Sequence, residues 1–228
     1  MHVHKHPQQG RIVRAIERPS AAHIQILAQA YSAFVLDRLG KYGAAHPDLK
    51  PLSSGMKVCG PATTVLGADL SVRRMAINLA QPGDVLVVAA GGGVDHACFG
   101  DGTAKRMKLK GIVGAVIDGA TRDAAALREM GYPTFVRGVR PDNYHYPTAA
   151  EFGAINVPVV CAGVLVNPGD LIIGDDDGVV TVPRELVQSL VEIVSVELKE
   201  EKALRQRMTQ FEPFDVEAEL LARGYHYE

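Results

Sequence analysis

The residues with chemical capacity gather in two loops. After a short apolar run at 84–90 come Gly91, Gly92, Gly93, Asp95, His96, Gly100, Asp101, Gly102 and Thr103. After a second run at 113–117 come Asp118, Gly119, Thr121, Arg122 and Asp123. Ligands of parallel sheets bind beyond the carboxyl ends of the strands, where helix N-termini also point. Backbone amides at a helix starting near Gly102 and Thr103 suit a carboxylate, and Arg122 adds a permanent cation with a forked set of donors. Asp101 and Asp123 are hard oxygen ligands for Mg²⁺ or Mn²⁺. Both also stand where helices begin, where an Asp cap is commonplace, so each alone reads first as a helix cap. His96 reads as a base or as a structural histidine. The glycine run does not fit GxGxxG and no helix follows it at once, which argues against a dinucleotide site. Asp175, Asp176 and Asp177 lack the twelve-residue calcium-loop pattern and read as a solvated hairpin turn. Cys98 and Cys161 sit in apolar surroundings and read as packed thiols. Residue types and spacing therefore reach a carboxylate-binding, metal-capable site without naming a reaction.

The elements that must position these loops follow from apolar patterning. Runs 84–90 and 113–117 are nearly all apolar, as buried strands are. Residues 101–110 suit a helix stopped by Gly111, and 123–130 a helix closed by Gly131. A third strand at 132–136 completes a βαβαβ unit, whose crossovers make the strands parallel. Upstream, Ser20 caps a helix expected over about 21–40, ended by Gly40 and Gly43, and residues 62–66 are β-rich. Downstream, 157–166 and 171–182 read as strands, separated by Asn167-Pro168-Gly169-Asp170 and the acidic turn. Pro183 suits the first turn of a long helix over about 184–208. Its apolar stripe (Leu186, Val187, Leu190, Val191, Val194) gives way after Leu198 to a charged stretch. That stretch either reaches over a neighbouring subunit or is solvated and held by i,i+4 pairs such as Glu201 with Arg205. The organisation expected is an N-terminal arm at 1–18, with a flexible or metal-binding His2, His4 and His6, an α/β domain at 19–183, and a C-terminal helix and tail at 184–228.

Composition bounds the class. The 228 residues carry 24 Lys+Arg against 26 Asp+Glu, a net charge of −2 that does not suit a protein neutralising nucleic-acid phosphates. At 47% hydrophobic and 22% charged, the chain has material for a full core and a soluble surface. No apolar run approaches the roughly 18 residues of a membrane helix, and the start, with His2, His4, Lys5 and His6, lacks a signal-peptide core. Three widely spaced cysteines without a CxxC pair indicate neither a disulfide framework nor a zinc ribbon. A cytoplasmic protein without nucleic-acid or membrane partners is expected.

A run of ordered blocks then resembles one family. The blocks are Gly60-Pro61-Ala62-Thr63-Thr64-Val65, Pro82-Gly83-Asp84, Phe99-Gly100-Asp101, Gly114-Ala115-Val116-Ile117-Asp118-Gly119, Thr121-Arg122-Asp123, Val157-Pro158-Val159, Asn167-Pro168-Gly169-Asp170 and the stretch 174–183. Over about residues 20–205 they resemble the class II 4-hydroxy-4-methyl-2-oxoglutarate / 4-carboxy-4-hydroxy-2-oxoadipate aldolases and their relatives, the regulators of ribonuclease activity A. The resemblance implies an α/β fold of the swivelling β/β/α, phosphohistidine-domain-like sandwich type with a long C-terminal helix. It implies homotrimers or homohexamers with active sites shared between subunits, and a small 2-oxo acid as substrate. It implies that Arg122 binds pyruvate, that Asp123 binds a divalent metal, Mg²⁺ or Mn²⁺, and that Asp101 is a carboxylate of the metal's shell. Gly100 and the amides of Gly102, Thr103 and Ala104 would hold the substrate carboxylate. Glu201, with Glu200 and Glu197 as alternatives, would complete a neighbour's site. Asp37 matches an acidic family position, Lys41 stands where an arginine is usual, and Gly102-Thr103 replaces bulkier residues. The implied reaction is pyruvate-forming aldol cleavage, with oxaloacetate decarboxylation beside it and a non-catalytic ribonuclease regulator as the rival.

Overall fold

The computed structural model describes residues 8, 10–143 and 153–227, so His2, His4 and His6 lie outside the described residues. Two compact units divide the chain, Met1–Val194 and Ser195–Glu228.

The first unit opens with α1 (Ala21–Leu27) and α2 (Ser32–Arg38) in place of one helix over 21–40. Ser20 caps α1 as expected, accepting from the His23 amide at 3.2 Å. The break has a tertiary cause. Buried Asp175 accepts from both the amide of Ser32 (2.7 Å) and its hydroxyl (2.6 Å), which starts a new helix there. The acidic turn is thus a hairpin turn, but Asp175 is buried in it rather than solvated.

Next come β1 (Lys50–Pro51), β2 (Val58–Leu66), α3 (Leu70–Leu79), β3 (Val85–Ala89), β4 (Ala97–Phe99), α4 (Asp101–Lys110), β5 (Gly114–Thr121), α5 (Ala124–Met130) and β6 (Thr134–Val139). Strands β2, β3, β5 and β6 pair in parallel, so the expected βαβαβ unit is present and is preceded by a second crossover, β2–α3–β3. Beyond them lie β7 (Ala154–Ile155), β8 (Val159–Cys161), β9 (Val164–Val166), β10 (Leu171–Asp175) and β11 (Gly178–Val182). Strand β10 joins β2 antiparallel and extends the same sheet to β11. The strand expected over 157–166 is a hairpin instead, β8–β9, turning at Ala162 (φ 49°) and Gly163 (φ 83°). Two successive positive φ values make the tight turn that suits strand twist. The Ala162 amide donates to Asp118 Oδ2 at 2.9 Å, which holds the alanine in that conformation.

Period-two alternation sorts the core into a β/β/α arrangement. Leu86 and Val88 of β3 pack with Ala115 and Ile117 of β5 against Ala76, Ala104, Met107 and Leu127 of the helices. Val85, Val87 and Ala89 face the other way, onto Val159, Cys161, Val166 and Ile172.

Residues of the N-terminal stretch are tied into this unit. Arg18 makes two 2.7 Å bonds to the Asp84 carboxylate, which also accepts from the Thr63 hydroxyl and the Gln81 amide, both at 2.8 Å. Gly60 is needed beside this network, because a Cβ there would sit 2.2 Å from the Gly83 carbonyl oxygen. Two of the family-like blocks, Gly60-Pro61 and Pro82-Gly83-Asp84, thus serve packing.

Pro183 precedes a single 3-10 turn, Arg184–Leu186, and then α6 (Val187–Arg207), which continues into the second unit. That unit ends in the short α7 (Glu217–Ala222), and none of its described residues from 199 to 227 is buried. The expected i,i+4 pair is formed, with Arg205 donating to Glu201 at 2.6 Å. Among the described residues, no helix is long and apolar enough to cross a membrane.

Candidate active site

Helix α4 begins directly after β4, which pairs in parallel with β5, so the start of α4 and the end of β5 lie side by side. The Arg122 amide donates to the Phe99 carbonyl at 2.9 Å and the Thr121 hydroxyl donates to the same oxygen at 3.0 Å, fastening one loop to the other. Between them opens a cavity of about 800 Å³ bordered by Gly100, Asp101, Gly102, Thr103, Arg122 and Asp123. The two loops singled out from the sequence thus meet at one site.

Asp101 is the first helical residue of α4, and Gly100 occupies the cap position. Helix geometry leaves the first amides without intrahelical partners. Thr103 and Ala104 amides already donate to the Gly100 carbonyl, both at 3.1 Å. The open donors are therefore those of Asp101 and Gly102. Thr103 and Ala104, also expected to offer amides to the substrate, are engaged in this way, and Ala104 is fully buried.

Asp123 precedes α5 but does not cap it. Its side chain makes no capping hydrogen bond, and its backbone is left-handed at φ 58°, ψ 34°. Such a conformation is uncommon away from glycine and is often held in place for function. The carboxylate instead lies 3.4 Å from Arg122 Nε, the single partner it has among the described residues. Beyond that contact, the Arg122 guanidinium is unengaged among the described residues. Gly100 makes room for the pair, since a Cβ there would lie 2.5 Å from Asp123 Oδ2 and 3.3 Å from Arg122 Cγ.

Among the described residues, no group of three or more His, Cys, Asp or Glu could hold a metal ion. Two carboxylates at a solvent-open cavity are what Mg²⁺ ordinarily takes from a protein, the rest of its octahedron being water and substrate. The donor set at Asp123 and Asp101 fits such an ion and does not fit a closed structural site.

A further wall of the cavity comes from α3, a helix the sequence pattern did not reveal. Arg73 and Arg74 of α3 and Arg106 and Lys110 of α4 border the cavity, so with Arg122 it carries five cations against two acids. The signals for α3 are present in retrospect. Asp69 caps it, accepting from the Val72 amide at 2.8 Å, and Val72, Ala76 and Ile77 keep helical spacing before Pro82.

Other candidates lie elsewhere. His96 faces Asp142 at 3.3 Å and does not border the cavity. Asp37 accepts from Lys41 at 2.6 Å on the surface, which lowers the Asp37 pKa, and neither borders the cavity. Cys98 borders it, yet burial raises its thiol pKa, and burial pushes Cys59 and Cys161 up to about 12, so none is a ready nucleophile. Glu197, Glu200 and Glu201 belong to the second unit.

Comparisons with known proteins agree with this architecture. The family described as RraA-like, aldolase/RraA, matches residues 32–181. A Halalkalibacterium halodurans protein named "putative 4-hydroxy-4-methyl-2-oxoglutarate aldolase" is 42% identical over 139 residues, 60% of this chain and 64% of that protein. The chain thus spans less than two thirds of that relative. Streptomyces coelicolor RraAS2, titled an unusual member of the RNase ES inhibitor RraA family, superposes with TM-score 0.72 at 35% identity, covering 83% of this chain and 100% of that one. The Thermus RNA-processing inhibitor RraA superposes with TM-score 0.60 at 29% identity, covering 68% and 93%.

Proposed function

The chain belongs to the RraA-like, aldolase/RraA family, and on that premise we propose that it is a metal-dependent pyruvate aldolase. Its substrates would be 4-hydroxy-2-oxo acids such as 4-hydroxy-4-methyl-2-oxoglutarate or 4-carboxy-4-hydroxy-2-oxoadipate, cleaved to pyruvate and an oxo acid. The observation that carries this reading is the Arg122–Asp123 pair. Its aspartate is held left-handed, spared from capping, and aimed with an unengaged guanidinium at the cavity that also receives the first amides of α4.

The substrate's C1 carboxylate binds the Asp101 and Gly102 amides, where the helix dipole favours an anion. When bound at Asp123, a divalent ion such as Mg²⁺ or Mn²⁺ supplies Lewis acidity toward the 2-oxo group. Cleavage of the C3–C4 bond moves an electron pair onto the C2 oxygen, and Arg122 neutralises the charge that develops there. The C4 hydroxyl loses its proton, for which Asp101 is the acceptor on this chain. Protonation of C3 then yields pyruvate. Loss of CO₂ from oxaloacetate leaves the same enolate, so decarboxylation accompanies the aldolase activity.

The same reading makes the protein a cytoplasmic homotrimer or homohexamer, with Glu201 of one subunit serving the site of the next. Support comes from the second unit, whose described residues from 199 onward are all at least partly exposed.

A panel of 4-hydroxy-2-oxo acids assayed for released pyruvate tests the proposal. The second reading, a ribonuclease regulator acting by contact, is favoured by the titles of the superposed Streptomyces and Thermus proteins. Inhibition of a ribonuclease without any pyruvate release would establish it instead.

A further inference from the structure

After Leu198, the last buried residue of α6, the helix runs on through Arg207 with none buried. Beyond it Phe211 and Phe214 are 84% and 85% exposed, and Val216 and Leu221 of the same stretch are exposed as well. Residues 208–222 also carry four acids, Glu212, Asp215, Glu217 and Glu219, with no Lys, Arg or His among them. An exposed run of large apolar side chains marks an interaction surface, and this one is acidic throughout.

Helices α4 and α5 of the first unit present the complementary surface. Between them lies an open groove of about 530 Å³, lined by Lys105, Lys108 and Leu109 of α4 and Ala126, Glu129 and Met130 of α5. On each helix the three residues keep the spacing of a single face. Leu109 is 81% exposed there. Lys108 is held in the groove by the Met130 carbonyl, to which it donates at 3.0 Å, while Lys105 has no partner among the described residues. Helix α4 as a whole carries Lys105, Arg106, Lys108 and Lys110 against one acid, Asp101. None of the residues lining the groove borders the cavity described above.

We propose that residues 211–221 of a second copy of this chain dock in the α4–α5 groove. Its two phenylalanines cover Leu109 and Met130, and its acids face Lys105 and Lys108. Potentials of opposite sign meet in this arrangement. Neither surface complements itself, because two acidic stretches repel each other, as do two basic grooves. The contact is therefore heterologous and passes from copy to copy. It rests on the oligomer of the proposed function and not on its reaction, so a regulator acting by contact would assemble in the same way.

Photo-crosslinking of the full-length protein tests the contact. p-Benzoylphenylalanine takes the place of Phe214, light and isotope-labelled copies are refolded together, and crosslinked peptides are identified by mass spectrometry. The expected result is mixed-isotope peptides joining residue 214 to residues 105–109 or 126–130. Leu109→Ser changes an exposed side chain and should lower that yield roughly tenfold. Lys105→Glu should lower it severalfold, and Glu212→Lys with Asp215→Lys should restore part of the loss. Mixed crosslinks elsewhere on the second copy, crosslinks confined to one copy, no crosslink, or an unchanged yield in Leu109→Ser would each overturn the proposal. An oligomer that persists in light scattering beside any of those results keeps the assembly and discards the groove, whereas a monomer at micromolar concentration overturns both.

Discussion

Gly100 and Asp123 come from different elements yet share one space, in which a Cβ on Gly100 would stand 2.5 Å from Asp123 Oδ2. The φ of Gly100 is −169°, open to any residue, so the requirement for glycine is one of room and not of backbone freedom. Gly100→Ala should therefore fold normally and displace the Arg122–Asp123 pair. Misplacement of reacting groups by about 1 Å costs on the order of 10²-fold in rate. Pyruvate release should drop by about that factor while the thermal midpoint shifts by only a few degrees, read by circular dichroism.

Asp123 and Arg122 should separate stability from chemistry. Glycine accepts φ 58° without the steric cost that aspartate bears. Asp123→Gly should leave stability within about 1 kcal/mol of wild type, the steric relief offsetting lost backbone entropy, and should abolish divalent-dependent activity. Arg122→Lys should retain Mg²⁺ binding, measured by calorimetry, and lose about 10²–10³ in kcat, because a point charge does not replace the fork.

The Arg18–Asp84 pair should matter for folding alone. Asp84 is buried, and its carboxylate depends on Arg18 for charge. Arg18→Ala leaves that charge with a hydroxyl and an amide, and should cost roughly 2–4 kcal/mol in urea unfolding. The double change Arg18→Ala with Asp84→Asn should recover part of it.

Subunit mixing tests the shared site. Glu201→Ala protein, lowered in turnover, and inactive Asp123→Ala protein should regain activity when denatured and refolded together, since some interfaces then combine an intact Asp123 with a neighbour's intact Glu201. No recovery in verified mixed oligomers would assign Glu201 to its own subunit or to none. Recovery with Glu200→Ala in place of Glu201→Ala, but not with Glu201→Ala itself, would move the role to Glu200.

The sequence made the βαβαβ unit and the meeting of the two loops legible because both rest on local signals: apolar runs, helix stops at Gly111 and Gly131, and acidic residues at strand ends. What it hid depends on distant partners. The break between α1 and α2 is set by Asp175, more than a hundred residues away, and the β8–β9 turn at Ala162 by Asp118. Helix α3 was missed because its cavity-facing side holds Arg73, Arg74 and Asn78, which dilute the apolar stripe. With it went Arg73 and Arg74, two of the five cations that border the cavity. The left-handed backbone of Asp123 has no sequence signal, and Asp at a helix start reads as a cap until the side chain is seen turned away.

The central claim is that Asp123 and Arg122 serve pyruvate-forming carbon–carbon cleavage with a divalent ion. The most direct measurement is the initial rate of pyruvate release from 4-hydroxy-4-methyl-2-oxoglutarate by purified protein, first with excess chelator and then after adding Mg²⁺ or Mn²⁺. The expected result is loss of activity in chelator and recovery with either ion, with Asp123→Gly inactive throughout. Full activity surviving chelator, with borohydride trapping the substrate on a lysine, would contradict the account.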